Sequence, residues 1–569
     1  MRRILLVFPL LLACPAGPER YEPAMLGTSI DFVCPGDPSG GCDFSDDGEL
    51  RVGAAAVAIT PDFWEDWIDE DGDGEFRSAI DTFFDCGQDR LCDGDAGYPG
   101  PDEGEGNGVF DALWLAGFGN ARAVDGVADD LWARATVLEQ GNTSIGVVAL
   151  DVVGYFHDDV LEIRAAAKEE LGLDWVIVQS THVHEAPDTM GQWGRDTFRS
   201  GVNPQFMTEI HLGVLDALRM AQADAVPADV YRGQVVINDT DWDGTGINNV
   251  NIDTREPHIT DPHVSTVRFA VAGTNDTIAT WVNFANHPEA AGGDNLLITS
   301  DFAHTLRTTV EDGAAEGPAG ALAGLGGVAV YHQGAPGGMQ TPLRCDVIDL
   351  DGTVYSEHSI DKAYAVGRVY GYHALQAVAA DTQVVDPALS VRRKSLFLRV
   401  DNEVFWVALN AEIFDRAGYN YDEDELIGRN NTPDLLTEVD LLTLGDVAVL
   451  TVPGELLPEL FLGGYDGAYT GPLQDLVDDP ARTDVSLAPP GPYLRAVMPG
   501  ELNLLFGLGN DEIGYLVPEW NYVLHESNEW FDEADGDHYE ETNSVGPRAT
   551  PTVVQHSLTM MAWEPPQDF

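Results

Sequence analysis

Ile145-Gly146-Val147-Val148-Ala149-Leu150-Asp151-Val152-Val153, then residues 159–171, then Trp175-Val176-Ile177-Val178-Gln179-Ser180 form the stretch on which the fold reading turns. The first and third segments are β-branched and apolar, whereas the middle one repeats Ala and Glu with a helical period. Together they predict a β-α-β unit with parallel strands. The last strand runs straight into Thr181-His182-Val183-His184-Glu185-Ala186-Pro187-Asp188. An H-x-H just past a strand lies near the carboxyl edge of a sheet, where α/β proteins place their ligand sites. Alternate residues of an extended segment share a face, but a turn there would splay them. By itself such a pair is more often two hydrogen-bonded loop histidines than a metal site.

Working outward, strand-like runs recur at 280–284, 328–331, 396–400, 404–409 and 447–452, and a helical pattern spans 361–380. The reading is one large α/β domain over 49–569, without internal repeats. Two further strands end as the first does. Residues 280–284 lead to Asn286-His287-Pro288-Glu289, and 447–452 lead to Pro453-Gly454-Glu455. Imidazole nitrogens and a carboxylate oxygen make the donor set of a catalytic zinc that keeps one position open for water. The competing reading has His287 as a structural histidine and Glu455 as a helix N-terminal acid.

Composition narrows the classes. The 569 residues carry 96 Asp+Glu against 29 Lys+Arg, a net charge of −67, and the only lysines are Lys168, Lys362 and Lys394. Such a surface is repelled by phosphate backbones, so nucleic-acid partners are excluded, and it suits a salty or calcium-rich exterior. The start, Met1-Arg2-Arg3 followed by an apolar run to Leu11-Leu12-Ala13-Cys14, has the pattern of a signal peptide with a bacterial lipobox. It predicts 1–14 as leader, a lipid anchor at Cys14 on the outer cell envelope, and a flexible tether over 15–48. An ordinary secretion signal cleaved nearby is the alternative. Outside the cytoplasm, Cys34 with Cys42 and Cys86 with Cys92 are expected as local disulfides, leaving Cys345 unpaired. An acidic, Gly-rich insertion covers about 63–111. Asp69, Asp71 and Asp73 have the opening spacing of an EF-hand loop, but its twelfth position is Ile80. Asp102, Asn107 and Asp111 belong to a second loop of similar style. Both are candidate calcium loops, and both also read as solvated acidic loops.

The ordered set of segments resembles the neutral/alkaline (non-lysosomal) ceramidase family. Similar blocks are Val52–Pro61 at the opening, Leu115-Ala116-Gly117-Phe118-Gly119, Leu131-Trp132-Ala133-Arg134-Ala135 and Thr181-His182-Val183-His184-Glu185-Ala186-Pro187. They continue with Trp281–His287 followed by Leu297-Ile298-Thr299-Ser300-Asp301, Thr451-Val452-Pro453-Gly454-Glu455, Gly507–Tyr515 and His538-Tyr539-Glu540. The resemblance implies a large mixed-sheet layered α/β domain and a zinc held by His182, His287, Glu455 and Tyr515. It implies His184 beside the metal in contact with substrate, Tyr539 as donor to a developing oxyanion, and Asp301 as an orienting residue. The implied reaction is hydrolysis of an N-acyl amide, a ceramide-like lipid or related ester, by metal-activated water. Two departures stand out. Gly337, in Gln333-Gly334-Ala335-Pro336-Gly337-Gly338-Met339, occupies the place of the family's serine, so Met339, Gln340 and the glycines are expected to offer open backbone near the site. The stretch after Tyr515 is also too short for the family's C-terminal immunoglobulin-like domain. A second reading follows: a calcium-stabilised surface lipoprotein that keeps the fold without catalysis.

Overall fold

The computed structural model describes residues 30–36, 42, 48–472 and 484–562. The 1–14 leader, Cys14 included, lies outside the described residues. The predicted β-α-β unit is present as Thr143–Leu150, His157–Leu171 and Trp175–Ser180, the two strands pairing in parallel from Ile145 with Trp175 to Leu150 with Ser180. It forms one end of a nine-stranded mixed sheet. From the opposite edge the path runs Val328–Gln333, Thr277–Phe284, His263–Val271, Val226–Val236, Arg51–Ala58, Trp132–Gln140, Thr143–Leu150, Trp175–Ser180, with Thr382–Gln383 added on Val226–Val236.

This sheet is creased. Its halves are joined only through Arg51–Pro227 and Val52–Val226, so it folds over until its two outer strands meet. Gln179, on one edge, donates from Nε2 to the carbonyl of Gln333 on the other (2.7 Å) and to Gly507 (2.8 Å). The Trp281 indole N–H crosses the crease to Thr136 Oγ1 at 3.0 Å. Each buried donor thereby gains a partner that solvent would otherwise supply.

A second, five-stranded sheet (Phe32–Cys34, Leu389–Arg399, Asp434–Leu444, Val447–Thr451, Leu502–Phe506) packs face to face on the first. Val147, Ile177, Phe269 and Trp281 from one sheet interdigitate with Val391, Leu442, Val449 and Phe506 from the other. Helices His157–Leu171 and Pro204–Ala223 cover one half of the large sheet. Phe302–Asp312 and Ile360–Ala379 cover the other half. Ala549–Met561 covers the outer face of the small sheet. The layered α/β class expected from the sequence is the observed one, and among the described residues no immunoglobulin-like sandwich follows it.

Two expectations change. Residues 404–409 form part of a helix, Glu403–Asn410, not a strand. The Asn402 side chain caps it by accepting from the Val404 and Phe405 N–H groups, and its Phe405 and Ala408 face alone is buried. Local capping outweighs the β-prone composition. Within the 15–48 tether, Phe32–Cys34 is an edge strand pinned to Val391–Arg393, and Cys34 is bonded to Cys42. Cys86–Cys92 is the second disulfide, and Cys345 is buried and unpaired. No described helix is long and apolar enough to cross a membrane.

Candidate metal centre and cleft

Closure of the creased sheet brings the ends of three strands together. Past Ser180 the chain turns sharply at His182, whose φ of 70° lies in the left-handed region. For a residue with a Cβ this conformation costs about 1–2 kcal/mol, so the surrounding contacts must hold it. His182 Nδ1 lies 2.6 Å from the Val153 carbonyl and His287 Nδ1 lies 2.8 Å from the Gln340 carbonyl. A carbonyl can only accept, so both Nδ1 atoms carry a proton and both Nε2 atoms face inward. His184 Nε2 is 3.4 Å from His182 Nε2. The ligating atoms of the three imidazoles lie within 4.8 Å of one another.

Glu455 and Tyr515 come from a two-stranded parallel ribbon, Glu455–Leu456 beside Tyr515–Leu516, in which they are direct partners. Glu455 Oε2 reaches His287 Nε2 at 3.0 Å and His182 Nε2 at 3.4 Å, and the Tyr515 hydroxyl stands 3.4 Å from His287 Nε2. His182, His184, His287, Glu455 and Tyr515 are therefore gathered at one buried point. Burial opposes ionisation of Glu455, yet His182 and His287 outweigh it and hold this carboxyl well below its usual range. Burial likewise disfavours a charged His287, but hydrogen bonding to Glu455 prevails and lifts its pKa to about 9. His184 goes the other way, held well below the usual imidazole value by burial and by its two neighbouring imidazoles. The cluster shares protons that a cation would displace.

A cleft lined by Gly117, Met190, Trp193, Tyr539 and Asn543 opens onto these groups. Tyr539 is 39% exposed at its mouth, its ring centroid 5.9 Å from that of Tyr515. Asp301 stands behind the site. It has a φ of 50°, caps the Phe302–Asp312 helix by accepting from Phe302 N–H (2.6 Å), and accepts from Ala291 N–H at 2.9 Å. Burial raises its pKa to about 7. It steadies the loop carrying Glu289 and does not touch the imidazoles through any hydrogen bond.

Gly337 is not open backbone. A Cβ there would lie 2.7 Å from Leu457 N, 2.7 Å from Leu457 Cδ1 and 2.8 Å from the Glu455 carbonyl oxygen. Met339 turns at a φ of 51° and sets its Sδ 2.9 Å from the Tyr515 hydroxyl, while Gln340 Nε2 donates to Ala335 O at 2.8 Å. The space expected to be free is thus filled by a thioether and an amide.

The acidic loops stay apart from this centre. Asp69, Asp71 and Asp73 cluster, with Asp69 accepting from Gly72 and Gly74 N–H, and Arg77 pairs with both Asp71 and Asp73. In the other loop Asp102 accepts from Asp89 N–H, and Asn107 Nδ2 donates to Asp111 at 2.8 Å.

Sequence reasoning assigned no role to Glu289, whose Oε2 lies 3.5 Å from His184 Nδ1 and whose Oε1 takes the Thr341 hydroxyl. It also passed over Arg122, a buried guanidinium that donates to the carbonyls of Ala116, His184 and Asn295. Glu289 stood one residue beyond a quoted His-Pro pair, so its strand-end position was the available signal. Nothing local marks Arg122.

No protein-family model matches the chain, and no curated protein sequence matches it. Solved structures do. Neutral ceramidase from Pseudomonas aeruginosa aligns with a TM-score of 0.58 and 14% identity over 91% of this chain and 74% of that one. A ceramidase complexed with C2 aligns at 0.57 and 14%, over 90% and 75%. The chain has the neutral ceramidase fold.

Proposed function

We propose that this chain is a zinc-dependent hydrolase of N-acyl amides, with ceramide-like lipid amides as substrate class and related esters within reach. One observation carries the reading: two Nδ1-anchored imidazoles, a third imidazole, a carboxylate and a phenol converge at the foot of a cleft. The fit to zinc is chemical. His182 and His287 turn their Nε2 atoms inward, fixed from behind by carbonyls as metal-bound histidines usually are, and Glu455 and Tyr515 supply oxygen donors once a cation displaces the protons the cluster shares. Zinc, when bound, lowers the pKa of a water towards about 7 and polarises an acyl carbonyl.

The chain's own groups do the rest. His184 stays neutral at pH 7 and is backed by Glu289, so it accepts a proton from the attacking water and returns it to the leaving amine. Tyr539, at the cleft mouth, donates towards the oxygen on which negative charge develops. Asp301 and Arg122 act as positioning residues through the 290–291 and 116–184 loops. Fold likeness to two solved ceramidase structures supports the amide substrate.

The leader pattern over 1–14 extends the proposal to a secreted protein anchored by lipid at Cys14 on the cell envelope. The two disulfides support an oxidising exterior.

The test is elemental analysis and turnover of a fluorogenic N-acyl amide by wild type and His287→Ala. About one zinc per chain, lost together with turnover in the variant, is the expected result. Full zinc in His287→Ala would overturn the ligand set, and a metal-loaded wild type that cleaves no amide would leave the non-catalytic surface protein as the better reading.

A further inference from the structure

Asp188 ends the Thr181–Asp188 segment of the H-x-H pair, and the hydrolytic scheme leaves it unused. It is fully buried, and its carboxyl takes backbone N–H groups from both ends of the segment that follows. Oδ1 accepts from Met190 N–H and Gly191 N–H at 2.8 Å each, Oδ2 accepts from Trp193 N–H at 2.9 Å, and the Gly201 N–H turns towards it as well. Donors on both oxygens favour the ionised form, while burial opposes it. Between these anchor points the two arms of the segment touch. A Cβ on Gly194 would fall 2.1 Å from Arg199 O, and one on Gly201 would fall 2.5 Å from Trp193 O, so glycine at both positions is what lets the arms approach.

This segment is a wall of the cleft: Met190, Gln192 and Trp193 line the same space as His182, His184 and Tyr539. The main chain that bears His184 is fixed without help from the carboxyl. His184 N–H donates to Pro288 O at 3.0 Å, Ala116 N–H donates to Ala186 O at 3.0 Å, and Asp188 N–H donates to Trp114 O at 2.8 Å. Removing the Asp188 carboxyl therefore frees the wall and leaves the imidazoles where they are.

We infer that Asp188 is a positioning residue: it acts through Met190 and Trp193, setting the shape of the cleft and so how tightly the cleft holds its substrate, and not the rate at which the centre reacts. The kinetic consequence rests on the amide-hydrolase reading, whereas the rigidity of the wall does not. An asparagine at this position is the finest probe. Its amide offers one accepting oxygen, which serves either Met190 and Gly191 or Trp193 and Gly201, and it sets an N–H2 group against the other pair.

The experiment compares the zinc-loaded full chain as wild type, Asp188→Asn and Asp188→Ala, by turnover of a fluorogenic N-acyl amide and by trypsin cleavage. KM is expected to rise by about tenfold or more in Asp188→Ala and by less in Asp188→Asn, while kcat stays within about threefold and the zinc content is unchanged. Trypsin reads the wall directly. Arg199 lies on its exposed turn, and Arg429, with 75% of its side chain exposed in another loop, is the reference site. Cleavage after Arg199 relative to Arg429 should rise by about tenfold or more in Asp188→Ala, because cleavage follows the population of the open segment. A fall in kcat at unchanged KM, or a loss of zinc, overturns the inference. So does equal cutting after Arg199 in all three proteins, or a rise at both sites together, which marks general destabilisation. If wild type cleaves no amide, the hydrolase reading has failed by itself and proteolysis alone judges Asp188. Faster cutting after Arg199 in the variants then supports the clamp, and wild-type rates overturn it. Where Asp188→Ala fails to fold, Asp188→Asn carries the same measurements.

Discussion

Gly337 makes the sharpest test of the site's architecture. Restoring the serine of the resembling family, Gly337→Ser, looks from sequence like the repair of a missing group, whereas the structure expects it to do damage. Backbone conformation is not the obstacle, since Gly337 has no left-handed φ. Space is the obstacle. The new Cβ would meet Leu457 N at 2.7 Å and the Glu455 carbonyl at 2.8 Å, both backbone atoms that cannot rotate aside. The Gly337 N–H is also tied to Leu456 O at 3.1 Å, so the two segments cannot part without losing that bond.

Overpacking of this kind costs about 1–3 kcal/mol, and the upper end applies where backbone must move. Because the displaced segment carries Glu455, zinc affinity is expected to fall by about tenfold or more as well, in the range seen when the supports of a metal ligand are disturbed. Urea denaturation and competitive zinc titration of wild type, Gly337→Ala and Gly337→Ser measure both. Gly428→Ser is the control: a Cβ there meets nothing within 4 Å, and its stability change should stay within about 0.5 kcal/mol. Gly337→Ser with wild-type stability and zinc affinity would refute the reasoning, because it would mean that the 455–457 segment yields freely.

Buried carboxyls set a pH dependence. Burial lifts Asp440 to about 7, helped by the Glu438 carboxylate, and lifts Asp301 and Glu459 to about 7. Each binds its proton more tightly folded than unfolded, so its stabilising effect is complete below about pH 4 and is lost as pH rises through about 7. The metal-free chain should melt higher at about pH 5 than at about pH 8, and Asp440→Asn should flatten that slope; an unchanged slope would refute the assignment. The net charge of −67 predicts a second trend. Sodium chloride raised to about 1 M should increase the melting temperature by screening self-repulsion, and a fall would mean that ion pairs outweigh it.

Much of this was legible in the chain, and the reason is local. The 145–180 segment announces its parallel pair because strand and helix periods follow one another without interruption. His182, His287 and Glu455 were visible because each directly follows an apolar strand. What stayed hidden depends on partners far along the chain. That the sheet creases and its edges meet rests on Gln179 reaching Gln333 and Gly507, contacts separated by 154 and 328 residues. No composition marks a glutamine as a staple. The 404–409 helix was missed because Val, Phe and Trp dominate it, and Asn402 decides the matter through two hydrogen bonds.

The strain around the centre explains why those distant staples are needed. His182, Asp301 and Met339 all hold left-handed φ values of 70°, 50° and 51° around one site. At about 1–2 kcal/mol each, the three would relax if the loops stood alone. They do not, because the loops are fixed where the strands end: Gln333 Nε2 donates to Asn286 O at 2.6 Å and to Thr181 O at 3.3 Å. Asn510 adds a third tie, accepting at Oδ1 from Val178 N–H at 3.0 Å. These amides join the strands leading to His182 and His287 to each other and to the segment leading to Tyr515. The spacing of the ligating nitrogens is therefore set by sheet closure and not by the loops that carry them. A metal entering such a site finds its donors already placed, and the ordering entropy of the loops is met on folding and not on binding.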